Sequence, residues 1–77
     1  MSSVYSFNST QSSSVSMVEI FHQSEDGLQR IDVVYHNNLA MKYQYHAPRN
    51  LVMAVISAHD HNASVGKAIS KIKKWCS

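Results

Sequence analysis

Cysteine is nearly absent: Cys76 stands alone in a chain of 77 residues. One thiol excludes an intrachain disulfide and a cysteine-based metal centre, so packing alone holds the core, within one chain or shared across a dimer. Proline and glycine are also scarce, at one and two residues, so Pro48 and Gly27 read as punctuation of the fold. No apolar run approaches the ~18 residues of a spanning helix, and no basic segment followed by an apolar stretch marks a leader. The expected location is the cytoplasm, or the host cytoplasm for a viral protein. Acid is rare beyond residue 32, where Asp60 faces six basic residues, whereas residues 1–32 carry four acids against Arg30. An anion is therefore drawn to the second half of the chain.

Equipment for catalysis is missing too. There is no helical pair of histidines with a glutamate, and no nucleophile has a legible base. His59-Asp60-His61 offers two imidazoles and a carboxylate, but no defined third or fourth ligand stands elsewhere, so neither metal nor cofactor is expected. With 44% hydrophobic and 16% charged residues the composition is that of an ordinary globular chain, and its length fits one domain with a modest core.

What is present sorts into elements. Residues 2–16 hold eight serines and read as a flexible lead-in, assigned as 1–13, in which Val4, Tyr5 and Phe7 are the residues able to dock on the domain or on a second subunit. Residues 14–77 form the domain. Val15 to His22 is β-rich and ends at an Asp26-Gly27 turn. Leu28 to Tyr35 then places Ile31, Val33 and Tyr35 on one face, and His36-Asn37-Asn38 turns the chain again. In the next strand Leu39, Met41, Tyr43 and Tyr45 alternate with Lys42, Gln44 and His46. These positions predict an antiparallel meander of three or four strands with Ile31, Val33, Leu39 and Met41 buried.

Pro48 ends the last strand and opens a helix whose residues Leu51 to Ala58 are apolar nearly all round, which requires cover on more than one side. That surplus predicts a homo-oligomer, most simply a twofold dimer. Ser64 is a suitable N-cap for a second helix. In it Val65, Ala68, Ile69, Ile72 and Trp75 share an arc of about 120°, with Lys67, Lys71 and Lys74 opposite, so Trp75 is expected to pack. The fold class is α+β, two helices packed on one face of the meander.

This order, with Tyr43-Gln44-Tyr45 on a strand, His46-Ala47-Pro48 after it, an apolar helix and then Ser64-Val65-Gly66-Lys67, resembles the KTSC family, named from a C-terminal extension of some lysyl-tRNA synthetases. The likeness spans roughly residues 14–75. The family usually has aromatic residues and an asparagine after the Ser-x-Gly step, where this chain has Ala68, Ile69 and Ser70. The resemblance implies a small domain found alone, including in bacterial and phage proteins, or appended to a tRNA-handling enzyme.

Two groups of residues stand out as a ligand site. Tyr43 and Tyr45 offer rings and hydroxyls at the edge of the core. Ser64, Gly66 and Lys67 put backbone N–H groups and a cation at a helix start, an arrangement suited to phosphate. The full phosphate-loop pattern of nucleotide hydrolases is lacking. The expected function is a non-enzymatic module that captures a nucleotide-like small molecule, in its sharpest form a viral protein that sequesters a nucleotide signal. Two alternatives stay open. An RNA-binding domain draws on Lys67, Lys71, Lys73 and Lys74 but lacks interleaved aromatic residues. A protein-interaction or oligomerisation module draws on the apolar helix.

Overall fold

The computed structural model describes residues 3–9 and 14–77. Four strands, β1 (Tyr5–Asn8), β2 (Val15–Gln23), β3 (Leu28–Tyr35) and β4 (Asn38–Pro48), precede two helices, α1 (Arg49–Asp60) and α2 (Val65–Cys76). All pairings are antiparallel and the spatial order is that of the chain, β1-β2-β3-β4. The expected α+β fold is present, an open meander followed by two helices.

Register explains which side chains enter the core. Val18 lies opposite Val33, and Ile20 opposite Ile31, which is in turn opposite Tyr45 on β4. Val15 joins Val18 on the covered face although they are three apart, because a bulge between Val15 and Met17 resets the alternation. Val52 and Val55 of α1 and Val65, Ala68, Ile69 and Ile72 of α2 close the cluster from the other side.

The outer sheet face is polar but ordered. Glu19 and Asp32 are direct cross-strand neighbours, and two carboxylates so placed repel unless each is neutralised. Arg30 meets both oxygens of Asp32, at 3.0 and 2.8 Å, while Lys42 reaches Glu19 at 2.9 Å. The Arg30 guanidinium also lies 4.3 Å from the centroid of the Phe21 ring, a cation–π contact that helps to hold it beside Asp32.

The β2–β3 turn needs its glycine. Gly27 has φ +85°, Asp26 Oδ1 accepts the Leu28 N–H at 3.0 Å, and Ser24 O accepts the Gly27 N–H at 3.1 Å. A Cβ on Gly27 meets nothing within 4 Å, so Gly27→Ala costs only the backbone strain of a left-handed residue, about 1 kcal/mol. The expected result is a lower midpoint in urea with an unchanged slope.

Four expectations need correction. Tyr5–Asn8, inside the segment assigned as a flexible lead-in, is strand β1. Its Phe7 ring stacks on His59 of α1 at 3.9 Å, and the Tyr5 hydroxyl donates to Asp60 Oδ1 at 3.4 Å. Of that segment, residues 1, 2 and 10–13 lie outside the described residues.

Leu39 and Met41 are not core: they are 65% and 50% exposed. Val33 faces Tyr43 while Tyr35 faces Asn38, so Leu39, Ala40, Met41 and Lys42 all stand against Val34 alone. This bulge carries them off the covered part of the sheet. Trp75 is also half exposed, because α2 has by then reached the margin of the sheet, where the next residue, Cys76, donates through Sγ to His46 O of the edge strand at 3.3 Å.

The argument for a dimer through α1 loses its premise. Val52 and Val55 are fully buried and Leu51, Ile56 and Ala58 pack against the cluster within the same chain, which leaves Met53 as the large exposed apolar residue of that helix. The short α1–α2 connection is tight, with Asn62 at φ 54°.

Candidate functional site

β3, β4 and the C-terminal half of α2 frame an open cleft of about 630 Å³, lined by Tyr35, His36, Asn37, Tyr43, Tyr45 and Lys73 together with Ser14. Its position follows from the sequence. Tyr35 ends β3 and Tyr43 and Tyr45 occupy alternate positions of β4, so all three rings project toward the helix layer. Gly66, Ser70 and Lys73 recur along one side of α2 at helical spacing.

The rings hold one another. Tyr35 and Tyr43 meet edge to face, with centroids 5.2 Å apart and planes at 72°, the arrangement favoured by aromatic quadrupoles. The hydroxyls of Tyr35 and Tyr45 are hydrogen-bonded at 3.2 Å. Burial pushes the Tyr35 hydroxyl well above the ordinary tyrosine range, and the bond to Tyr45, with charge repulsion from Tyr45 and Tyr43, adds to the shift. Tyr35 therefore stays a neutral phenol throughout the physiological range.

Lys73 Nζ lies 5.7 Å from the Tyr35 ring centroid. No carboxylate is among the residues that line the cleft, and the ion pairs of the described residues, Arg30–Asp32 and Lys42–Glu19, do not involve Lys73. The cleft thus offers aromatic surface, hydrogen-bonding groups and an ammonium with no anionic partner among the described residues. That set suits an anion attached to a flat ring.

The structure brings together some of the expected site residues and separates others. Tyr43 and Tyr45 line this cleft. Gly66 lines a smaller recess of about 230 Å³ that shares Ser14, Tyr35 and Lys73 with it. Ser64 and Lys67 lie elsewhere, in a groove between α1 and α2 with Ser57, His61 and Lys71. Ser64 Oγ accepts the Lys67 N–H at 3.2 Å, so that hydroxyl serves as an ordinary N-cap. Of the cleft's lining, Ser14, Tyr35, His36 and Asn37 were not singled out from sequence, and Lys73 was named only among the lysines of an RNA-binding face. Tyr35 shares its alternating face with Ile31 and Val33 and so reads as core, and Lys73 falls between the apolar arc and the lysine stripe of α2.

His59, Asp60 and His61 diverge. His59 stacks on Phe7, Asp60 accepts from Tyr5, and His61 Nδ1 lies 2.9 Å from Ser57 O. Among the described residues no group of three or more histidine, cysteine, aspartate or glutamate side chains is arranged to hold a metal, and no helix is long and apolar enough to cross a membrane. No protein-family model, curated protein or solved structure matches the chain.

Proposed function

We propose that this chain is a non-enzymatic binding module that holds a nucleotide-type anionic ligand in the tyrosine cleft, the base against the rings of Tyr43 and Tyr35 and the phosphate toward Lys73. The observation that carries this reading is the convergence on a single cleft of three phenol rings and one lysine that has no carboxylate partner among the described residues. The sharper form is a viral protein that sequesters a nucleotide signal in the cytoplasm. The resemblance of Tyr43-Gln44-Tyr45 and Ser64-Val65-Gly66-Lys67 to the KTSC pattern supports a small domain of the sort found alone in bacterial and phage proteins.

Calorimetric titration with a nucleoside monophosphate, the matching nucleoside and inorganic phosphate tests the proposal. The monophosphate is expected to bind, and both fragments to bind more weakly. Tyr43→Ala is expected to weaken it by roughly tenfold, since stacking of a base on an aromatic ring contributes about 1–3 kcal/mol. Equal binding to wild type and Tyr43→Ala, or no binding of any nucleotide, removes the assignment.

A second reading has its own observation. Lys67, Lys71 and Lys74 form the outer stripe of α2, and none takes part in an ion pair among the described residues. This stripe fits a phosphate backbone, as in an RNA-binding domain.

A further inference from the structure

The tyrosine cleft does not end at Lys73. The recess of about 230 Å³ adjoins it, sharing Ser14, Tyr35 and Lys73 and adding Gly66 and Ser70 of α2. Ser14 is held at this boundary by the backbone, since Ser14 O accepts the His36 N–H at 2.9 Å and so ties the residue before β2 to the β3–β4 turn. Lys73 therefore faces two compartments, one aromatic and one walled by a glycine, two serines and the aliphatic Val15 and Ile69. Among the described residues, its ammonium is the one formal charge on the lining of either.

Resting on the reading of the cleft as a nucleotide site, we propose that its ligand is a nucleoside phosphodiester whose second ester group, small, neutral and hydroxyl-bearing, occupies the recess. Position carries the first half of the argument. A phosphate at Lys73 with its nucleoside in the cleft has the recess on another side, and a group placed there must be attached through a second phosphate oxygen. Charge carries the other half. A phosphate monoester holds about −1.5 to −2 charges at pH 7, more than one ammonium neutralises, whereas a diester holds a single charge and is matched. The two serines on the recess both donate and accept hydrogen bonds, which favours hydroxyls over a bare alkyl group.

Calorimetric titration of the full chain with adenosine monophosphate and uridine monophosphate, each alongside its methyl and its glyceryl phosphate ester, tests this. The methyl ester is expected to bind at least as tightly as the monophosphate, having lost a charge that the site does not match. The glyceryl ester is expected to bind about tenfold more tightly than the methyl ester, the effect of one or two further hydrogen bonds. Ser70 is exposed in the middle of α2, so Ser70→Leu narrows the recess and keeps the fold, which far-ultraviolet circular dichroism checks. It is expected to bring the ratio of the two ester affinities close to one, and Gly66→Val to do the same. A monophosphate that binds more tightly than its methyl ester, a glyceryl ester no tighter than the methyl ester, or a ratio that either substitution leaves unchanged overturns the proposal while the cleft still holds a nucleotide. Binding of none of these ligands removes the reading of the cleft as well.

Discussion

Ile31→Ala is expected to destabilise the domain by about 3 kcal/mol, the usual cost of truncating a buried isoleucine and leaving a partly unrelaxed cavity. Ile31 is fully buried on the central strand β3, between Ile20 of β2 and Tyr45 of β4, and belongs to the cluster closed by α1 and α2. No neighbour can fill the gap without leaving its own contacts. A domain of this size has a total stability on the order of 5–10 kcal/mol, so the substitution removes a large share of it. Urea denaturation followed by far-ultraviolet circular dichroism is the appropriate measurement, because half-exposed Trp75 reports poorly on the core. Met53→Ala, made on an exposed residue, is the control and is expected to change stability by less than about 0.5 kcal/mol. Similar midpoints for the two variants would show that the cluster around Ile31 is not the core.

Lys73→Ala is expected to weaken nucleotide binding by about tenfold to a hundredfold, the equivalent of one charge-assisted contact worth ~1.5–3 kcal/mol. Lys67→Ala is expected to matter little, because Lys67 lines the groove between the helices rather than the tyrosine cleft. Adjacent position in the sequence is a poor guide here: Lys74 follows Lys73 directly but belongs to the outer stripe. An RNA ligand on that stripe gives the reverse ranking. Lys67→Ala and Lys71→Ala then weaken binding similarly, and affinity falls steeply with salt as counterions are released. Titration of a nucleoside monophosphate and a short RNA against the variants at two salt concentrations separates the two.

Alternation read β2, β3 and β4, helical periodicity read α2, and the apolar run after Pro48 read α1, each with a clear stop or start: Gly27 with positive φ, Pro48 ending β4, Ser64 capping α2. β1 escaped because its neighbours are serines, and composition averages over a four-residue strand whose place is fixed by distant partners, Ile20 and His59. Leu39 and Met41 show a different limit. Alternation says which residues share a face, but not whether anything covers that face, and the bulge opposite Val34 is invisible in the pattern. The site was half legible for the same reason. Tyr43 and Tyr45 were found by their spacing, whereas Tyr35 and Lys73 join them only through the register of β3 with β4 and the path of α2 across the sheet.

The distribution of charge between the layers has a kinetic consequence. The strands and the β2–β3 turn hold Glu19, Glu25, Asp26 and Asp32 against Arg30 and Lys42, a net charge of −2, while the helices hold Arg49, Lys67, Lys71, Lys73 and Lys74 against Asp60, a net charge of +4. The molecule is an electric dipole with its positive pole on the helical layer. An approaching anion is turned toward that layer before it touches anything, so its association rate exceeds that of a neutral analogue and declines as salt screens the field. Dissociation, governed by short-range contacts in the cleft, is expected to respond much less to salt. Stopped-flow mixing at increasing ionic strength separates the two rates and reads the dipole directly.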